Sequence, residues 1–148
     1  MSLKLQLEND LHEFMRSKNE IGRNTIRMVL SSLKLFEIEK SIQADDSVIL
    51  SIIQKEIKIR RDSLIEFEKG NRKDLIDLTN MEIGVLQKYL PKQLEDFEIE
   101  KIVSQCISEL GATSIADIGK VMKTVLPLLS GKAPADRVSL IVRNKLSS

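Results

Sequence analysis

The chain predicts an all-α fold, and three observations carry that expectation. Apolar residues recur at three- and four-residue spacing along almost the whole sequence, the helical period. Helix-opening residues (Ser, Asn, Asp) and helix-stopping ones (Gly, Pro) punctuate these stretches at intervals suited to helices. The composition is rich in helix-compatible Leu, Ile, Lys and Glu, with six glycines and three prolines in 148 residues. No alternating run bounded by turn residues reads as a strand.

The first helix carries Leu3, Leu7, Leu11 and Phe14 at helical spacing, with Ser2 as its N-cap. A polar break at Ser17-Lys18-Asn19 precedes a second helix over Glu20 to Lys40, striped by Ile26, Val29, Leu33 and Phe36, with Arg23 and Arg27 on another face. Ser41 to Asp46 is a connection, and Asp45 or Asp46 caps a third helix running to Lys69 with Ile49, Ile52, Ile53, Ile57 and Leu64 inward. Gly70-Asn71 should stop it, with Gly70 taking the left-handed conformation. The fourth helix is expected over Lys73 to Leu90, burying Leu75, Leu78, Val85, Leu86 and Tyr89. Pro91 ends it, because proline disfavours helical geometry in the residue before it.

Pro91 is also the expected domain boundary, separating a four-helix N-terminal domain (1–90) from a three-helix C-terminal module (91–148). The fifth helix opens at Asp96 or Phe97, carries Ile99, Ile102, Val103, Cys106 and Leu110, and stops at Gly111. Thr113 or Ser114 caps the sixth, with Ile115, Ile118, Met122, Val125 and Leu126 inward. The seventh begins near Pro134, where the missing N–H is no loss, and buries Val138, Ile141, Val142 and Leu146.

Several function classes find no support in these residues. No apolar run reaches the ~18 residues of a membrane span, so no membrane partner is expected. The N-terminus lacks the apolar core of a secretory signal. One cysteine, Cys106, cannot form an internal disulfide, which favours a reducing compartment and a cytoplasmic location. It lies on an apolar stripe, where a thiol packs as a small hydrophobe. His12 is the sole histidine, too few for a paired-imidazole metal site. No catalytic residue, metal site, phosphate loop or cofactor is expected.

Charge is more informative. Lys+Arg number 23 and Asp+Glu 22, so the net charge of +1 gives no global field. Yet Glu95 to Asp117 holds six acids against Lys101, and Gly119 to Ser148 holds six bases (Lys120, Lys123, Lys132, Arg137, Arg143, Lys145) against Asp136. Lys120 and Lys123 share a helical face, Arg137 and Lys145 lie within ~80° of each other, and Arg143 points elsewhere. These bases, Arg143 excepted, are the RNA-binding candidates, unless the two halves neutralise each other on packing. In the third helix, Arg60 and Arg61 within Lys58-Ile59-Arg60-Arg61-Asp62-Ser63 are candidates for an interaction surface. The plainer alternative is a solvated face with pairs such as Glu56–Arg60. Gly119, between Ile118 and Met122, is expected to serve close helix packing.

Read in order, these residues resemble the GatB/YqeY family from end to end. The resemblance runs through Ile26-Arg27-Met28, Arg60-Arg61-Asp62-Ser63-Leu64, Glu66-Phe67 and Asn71-Arg72-Lys73-Asp74-Leu75. It continues in Tyr89-Leu90-Pro91-Lys92-Gln93-Leu94, Gly111-Ala112-Thr113-Ser114 and Asp117-Ile118-Gly119-Lys120-Val121-Met122. It implies an α-helical protein whose last module is similar to the tail domain of the GatB component of the tRNA-dependent amidotransferase, which helps hold tRNA in translation. It also links the chain to carbon–nitrogen ligation with glutamine as amido donor, although nothing in the chain supports an activity of its own. The Gly119-Lys120 pair matches the family's. The expectation is therefore a non-catalytic accessory protein that binds tRNA or associates with amidotransferase subunits. The alternative is a helical protein–protein adaptor without RNA binding.

Overall fold

The computed structural model describes residues 2–147, and among them the fold is all-α, with seven α-helices and one short 3-10 turn. Their contacts divide into two compact units, Met1–Leu90 and Pro91–Ser148.

In the first unit, helix α1 (Leu3–Arg16) opens at Ser2, whose hydroxyl accepts from the Leu5 N–H. Asn19 caps α2 (Glu20–Lys40) by accepting from the Gly22 N–H at 2.9 Å. Asp45 caps α3 (Asp46–Lys69) through the Val48 N–H. Each cap satisfies a backbone donor that the first turn leaves unpaired. Asp46 then reaches back to accept from the Leu3 N–H at 3.0 Å, tying the start of α3 to the start of α1. Leu7, Ile26, Leu33, Ile49, Ile53 and Leu86 fill the centre of this unit's core. Gly22 lets α1 and α2 approach, since a Cβ there would lie 2.6 Å from the Phe14 ring.

Three expectations for this unit are corrected. Gly70 ends α3 with φ −88°, and the left-handed residue is Asn71, at φ 53°. Asparagine tolerates that region because its short polar side chain bonds locally. Helix α4 (Lys73–Gln87) stops before Lys88 rather than at Leu90, and Tyr89 and Leu90 close it with turn bonds to the carbonyls of Leu86 and Gln87. Its buried face is Thr79, Ile83 and Leu86, and Leu78 points to solvent.

In the second unit, α5 (Asp96–Leu110) begins with a reciprocal capping box between Glu95 and Glu98 and ends at Gly111 in the left-handed conformation. The 3-10 turn Ile115–Asp117, capped by Ser114, leads into α6 (Ile118–Leu128). Helix α7 (Ala135–Ser147) buries Val138, Ile141, Val142 and Leu146, as its spacing requires. The core is completed by Ile99, Val103 and Cys106 from α5, and by Val121, Val125 and Leu129 at and after α6. Ile115 and Leu126, expected inward, are exposed, because Val121 and Val125 set the buried side.

Candidate nucleic-acid interface

Helix α6 turns Val121 and Val125 into the core of the second unit. At 100° per residue, Lys120 and Lys123 lie ~60° apart on the opposite side of the helix. Both are exposed. The turn before α6 shapes the near end of this face. Asp117 accepts from the Thr113 N–H at 2.9 Å and the Ser114 N–H at 3.4 Å. Those bonds hold its carboxyl below the ordinary aspartate range, with the Lys120 charge adding in the same direction. Lys120 thus sits beside a fixed anion, and Lys123 lies one turn further along.

The other basic candidates are placed differently. Lys132 is exposed in the α6–α7 connection, and that loop is pinned from both sides. The Lys132 N–H donates to the Leu129 carbonyl at 2.9 Å, and its own carbonyl accepts from the Leu94 N–H at 3.0 Å. The Gln93 side-chain amide donates to the Gly131 carbonyl at 2.6 Å. Arg137 is half-buried, and its Nε donates to Asp96 Oδ1 at 2.5 Å, linking α7 to the first turn of α5. Lys145 is exposed in the last turn of α7, on the same side as Val138 and Ile141. The structure therefore brings Lys120 and Lys123 onto one outward face, commits Arg137 to an ion pair, and leaves Lys132 and Lys145 on separate elements.

Two expected roles are corrected. Gly119 is exposed, and an added Cβ would meet nothing within 4 Å. No helix packs against it, because the core side of α6 is set two residues on, at Val121. Arg60 is not part of a surface. It is 7% exposed, while Arg61 beside it is exposed. The Arg60 guanidinium donates to Glu56 Oε2 at 2.7 Å and to the Glu56 carbonyl at 3.1 Å. It also donates to Glu82 Oε2 of α4 at 3.0 Å, and its remaining nitrogen lies 3.1 Å from the Met28 sulfur of α2. The i,i+4 pair with Glu56 forms, but in the interior. Glu82 was the missing signal, an acid on another helix that spacing within α3 cannot reveal.

The groups that could carry covalent chemistry lie on helices other than α6. Cys106 is buried, and burial, with the Glu109 charge second, pushes its thiol up from the ordinary value. His12 is exposed on α1. Among the described residues no group of three or more His, Cys, Asp or Glu is arranged to hold a metal ion, and no helix is long and apolar enough to cross a membrane.

Two small helical units, one of them with an exposed lysine pair, make this a small all-helical protein. The chain belongs to the Yqey-like protein family, whose model matches residues 4–146. It is similar to fungal proteins named "Altered inheritance of mitochondria protein 41, mitochondrial". The one from Vanderwaltozyma polyspora is 30% identical over 122 residues, covering 77% of this chain and 65% of the relative. The Pyrenophora tritici-repentis protein is 31% identical over 130 residues, 86% of this chain and 71% of the relative. That from Clavispora lusitaniae is 28% identical over 146 residues, 95% and 85% respectively. The chain thus spans just under two thirds of the length of the first of these relatives.

Proposed function

We propose that this chain is a non-catalytic accessory protein of tRNA-dependent amidation that holds the tRNA body through backbone phosphates. The observation that carries this reading is the exposed Lys120–Lys123 pair on the outer face of α6, at the Gly119-Lys120 motif that resembles the amidotransferase tail domain. Phosphate contact is the mode such a face supports. Lysine ammonium groups neutralise phosphates without reading sequence, and the chain has five aromatic residues and no tryptophan for stacking on bases. Cys106, buried with a raised thiol, is poorly placed as a nucleophile, which supports a holding role over chemistry. The units 1–90 and 91–148 act, in this reading, as separate domains, the second carrying the RNA face. The lone thiol fits a reducing compartment, and the cytoplasm is the expected one; the word mitochondrial in the fungal names belongs to those proteins.

The test is filter or mobility-shift binding of tRNA to the full chain across a salt series. With Arg137 committed to Asp96, four candidate lysines remain, and about three to four phosphate contacts give a log–log salt slope of about −2 to −4. Lys120→Glu with Lys123→Glu should remove most of the binding, and Arg143→Glu should matter less. Unchanged binding in the double variant, with its helical spectrum intact, would refute the face and leave the protein–protein adaptor as the better reading.

A further inference from the structure

Helix α2 carries a second apolar stripe, turned away from its core residues Ile26, Val29 and Leu33. Ile26, Val29 and Leu33 are fully buried, and the residues ~165° round the helix from them should be polar on a surface helix. Instead, Leu35 and Ile38 are 57% and 66% exposed, and Met28, whose sulfur meets Arg60 on its inner side, still leaves 47% of its surface exposed. Ile42, just beyond the helix end, adds further exposed apolar surface. Contiguous exposed apolar residues of this kind mark interaction sites.

The spacing of the stripe is specific. Met28, Ser31, Leu35 and Ile38 follow one another at three, four and three residues, the a and d positions of a heptad seam. Ser31, at the second of these, is small and allows close approach. In the same register Arg27 and Lys34 occupy g positions, and Ser32 and Glu39 occupy e positions. A parallel pairing with a second copy sets each Lys34 against the other copy's Glu39, five residues on, and two-fold symmetry makes that pair twice. An antiparallel pairing would set the basic g residues against each other. The remaining side of α2 is already built into its own unit, where Glu37 accepts from the Ala44 N–H at 2.9 Å and meets Lys4 at 3.5 Å. One facing helix is therefore all the stripe can admit.

We propose that the outer face of α2 is a homodimerisation surface, on which a second copy of this chain docks its own α2 in parallel through Leu35 and Ile38, with reciprocal Lys34–Glu39 pairs. The seam is short, so the dimer is a weak one that forms as concentration rises.

Sedimentation of the full chain from micromolar to millimolar concentration should show a monomer passing to a dimer. Leu35→Glu with Ile38→Glu should leave it monomeric throughout. Lys34→Glu should weaken the dimer about three- to tenfold, and adding Glu39→Lys should restore it. Ser31→Cys should give a disulfide-linked dimer on mild oxidation, because a parallel seam sets position 31 against its own copy, while the parent chain with its buried Cys106 should not. This last readout does not depend on the glutamate variants keeping their fold. A chain that stays monomeric at millimolar concentration and does not cross-link at position 31 would overturn the proposal. So would a dimer indifferent to the Leu35/Ile38 change, or a Lys34→Glu loss that Glu39→Lys fails to recover.

Discussion

Truncating Arg60 to alanine should destabilise the first unit by about 3 kcal/mol. The side chains of Arg60, Glu56 and Glu82 retain 8%, 13% and 22% of their exposure, so all three charges are largely withdrawn from water. Removing one partner of such a cluster leaves the others uncompensated, which costs about 3–5 kcal/mol. Here two carboxylates would be stranded, but Glu82 has some access to solvent, which places the effect near the lower bound. Arg60→Lys should fall between, because one ammonium cannot reproduce the fork that reaches Glu56 and Glu82 together. Arg61→Ala, at an exposed neighbour, should change stability by no more than about 0.5 kcal/mol.

Urea unfolding followed by tyrosine fluorescence measures this directly, since the only tyrosine, Tyr89, lies in the core of the same unit and the chain has no tryptophan. With a urea dependence of about 1–3 kcal/mol/M, the Arg60→Ala midpoint should fall by about 1–3 M. The triple change Arg60→Met, Glu56→Met and Glu82→Leu should recover most of that loss, because replacing a whole buried ion cluster with apolar residues is often neutral or stabilising. A loss below about 1 kcal/mol for Arg60→Ala, or a triple variant less stable than the single one, would refute the reasoning that the cluster is interior.

Three other outcomes follow from the same structure. Tyr89 donates to Asp10 Oδ2 at 2.5 Å, and burial, then that bond and the Asp10 charge, raise its phenol above the ordinary 10.0. Its stabilising effect is therefore complete below pH 10 and lost as pH rises beyond it, so phenolate absorbance should appear late and together with unfolding; ionisation near pH 10 in a still-helical chain would contradict this. Gly22→Ala should lower the thermal midpoint, since the Phe14 ring must move and overpacking costs about 1–3 kcal/mol, whereas Gly119→Ala should hold or raise it, gaining up to about 1 kcal/mol of helix propensity. Limited trypsin digestion should cut first near Lys88 or Lys92, between the units and ahead of the Gln93 and Leu94 bonds to the 131–132 loop, and early cuts inside the helices would argue against separate domains.

Helix starts were legible because their causes are local. Ser2, Asn19 and Asp45 each cap within three residues, so the sequence window that holds the cap also holds its partner. The buried face of α4 was not. Leu75, Ile76, Leu78, Met81, Ile83, Val85 and Leu86 ring the helix, so periodicity alone cannot choose between the Leu78–Val85 side and the Thr79–Ile83 side. Tertiary packing chose the latter, burying a threonine and exposing a leucine. Arg60 failed for the complementary reason. A charge within a charged run reads as solvated until its distant partner is known, and Glu82 is 22 residues away on another helix. The two glycines invert in the same way: Gly119, central in its motif, touches nothing, while Gly22 meets Phe14.

The basic half of the second unit shows why a charge count and a binding face differ. Counted along the chain, the six bases after Gly119 look like one block facing six acids. In the fold, α7 uses Arg137 to meet Asp96 at the start of α5, a partly exposed pair whose loss should weaken the fold by up to about 1 kcal/mol as well as affecting any ligand. Lys120 and Lys123 have no such duty. They stand opposite Val121 and Val125, and the α6 contacts that build the core are made on the other side of the helix. Reversing their charge should therefore leave folding intact while removing the field that phosphates would sense. Reversing Arg137 should disturb both. That separation is what allows a binding experiment on this chain to be read as binding: a loss confined to the Lys120–Lys123 face reports the interface, and a loss shared equally with Arg137 reports the module's stability.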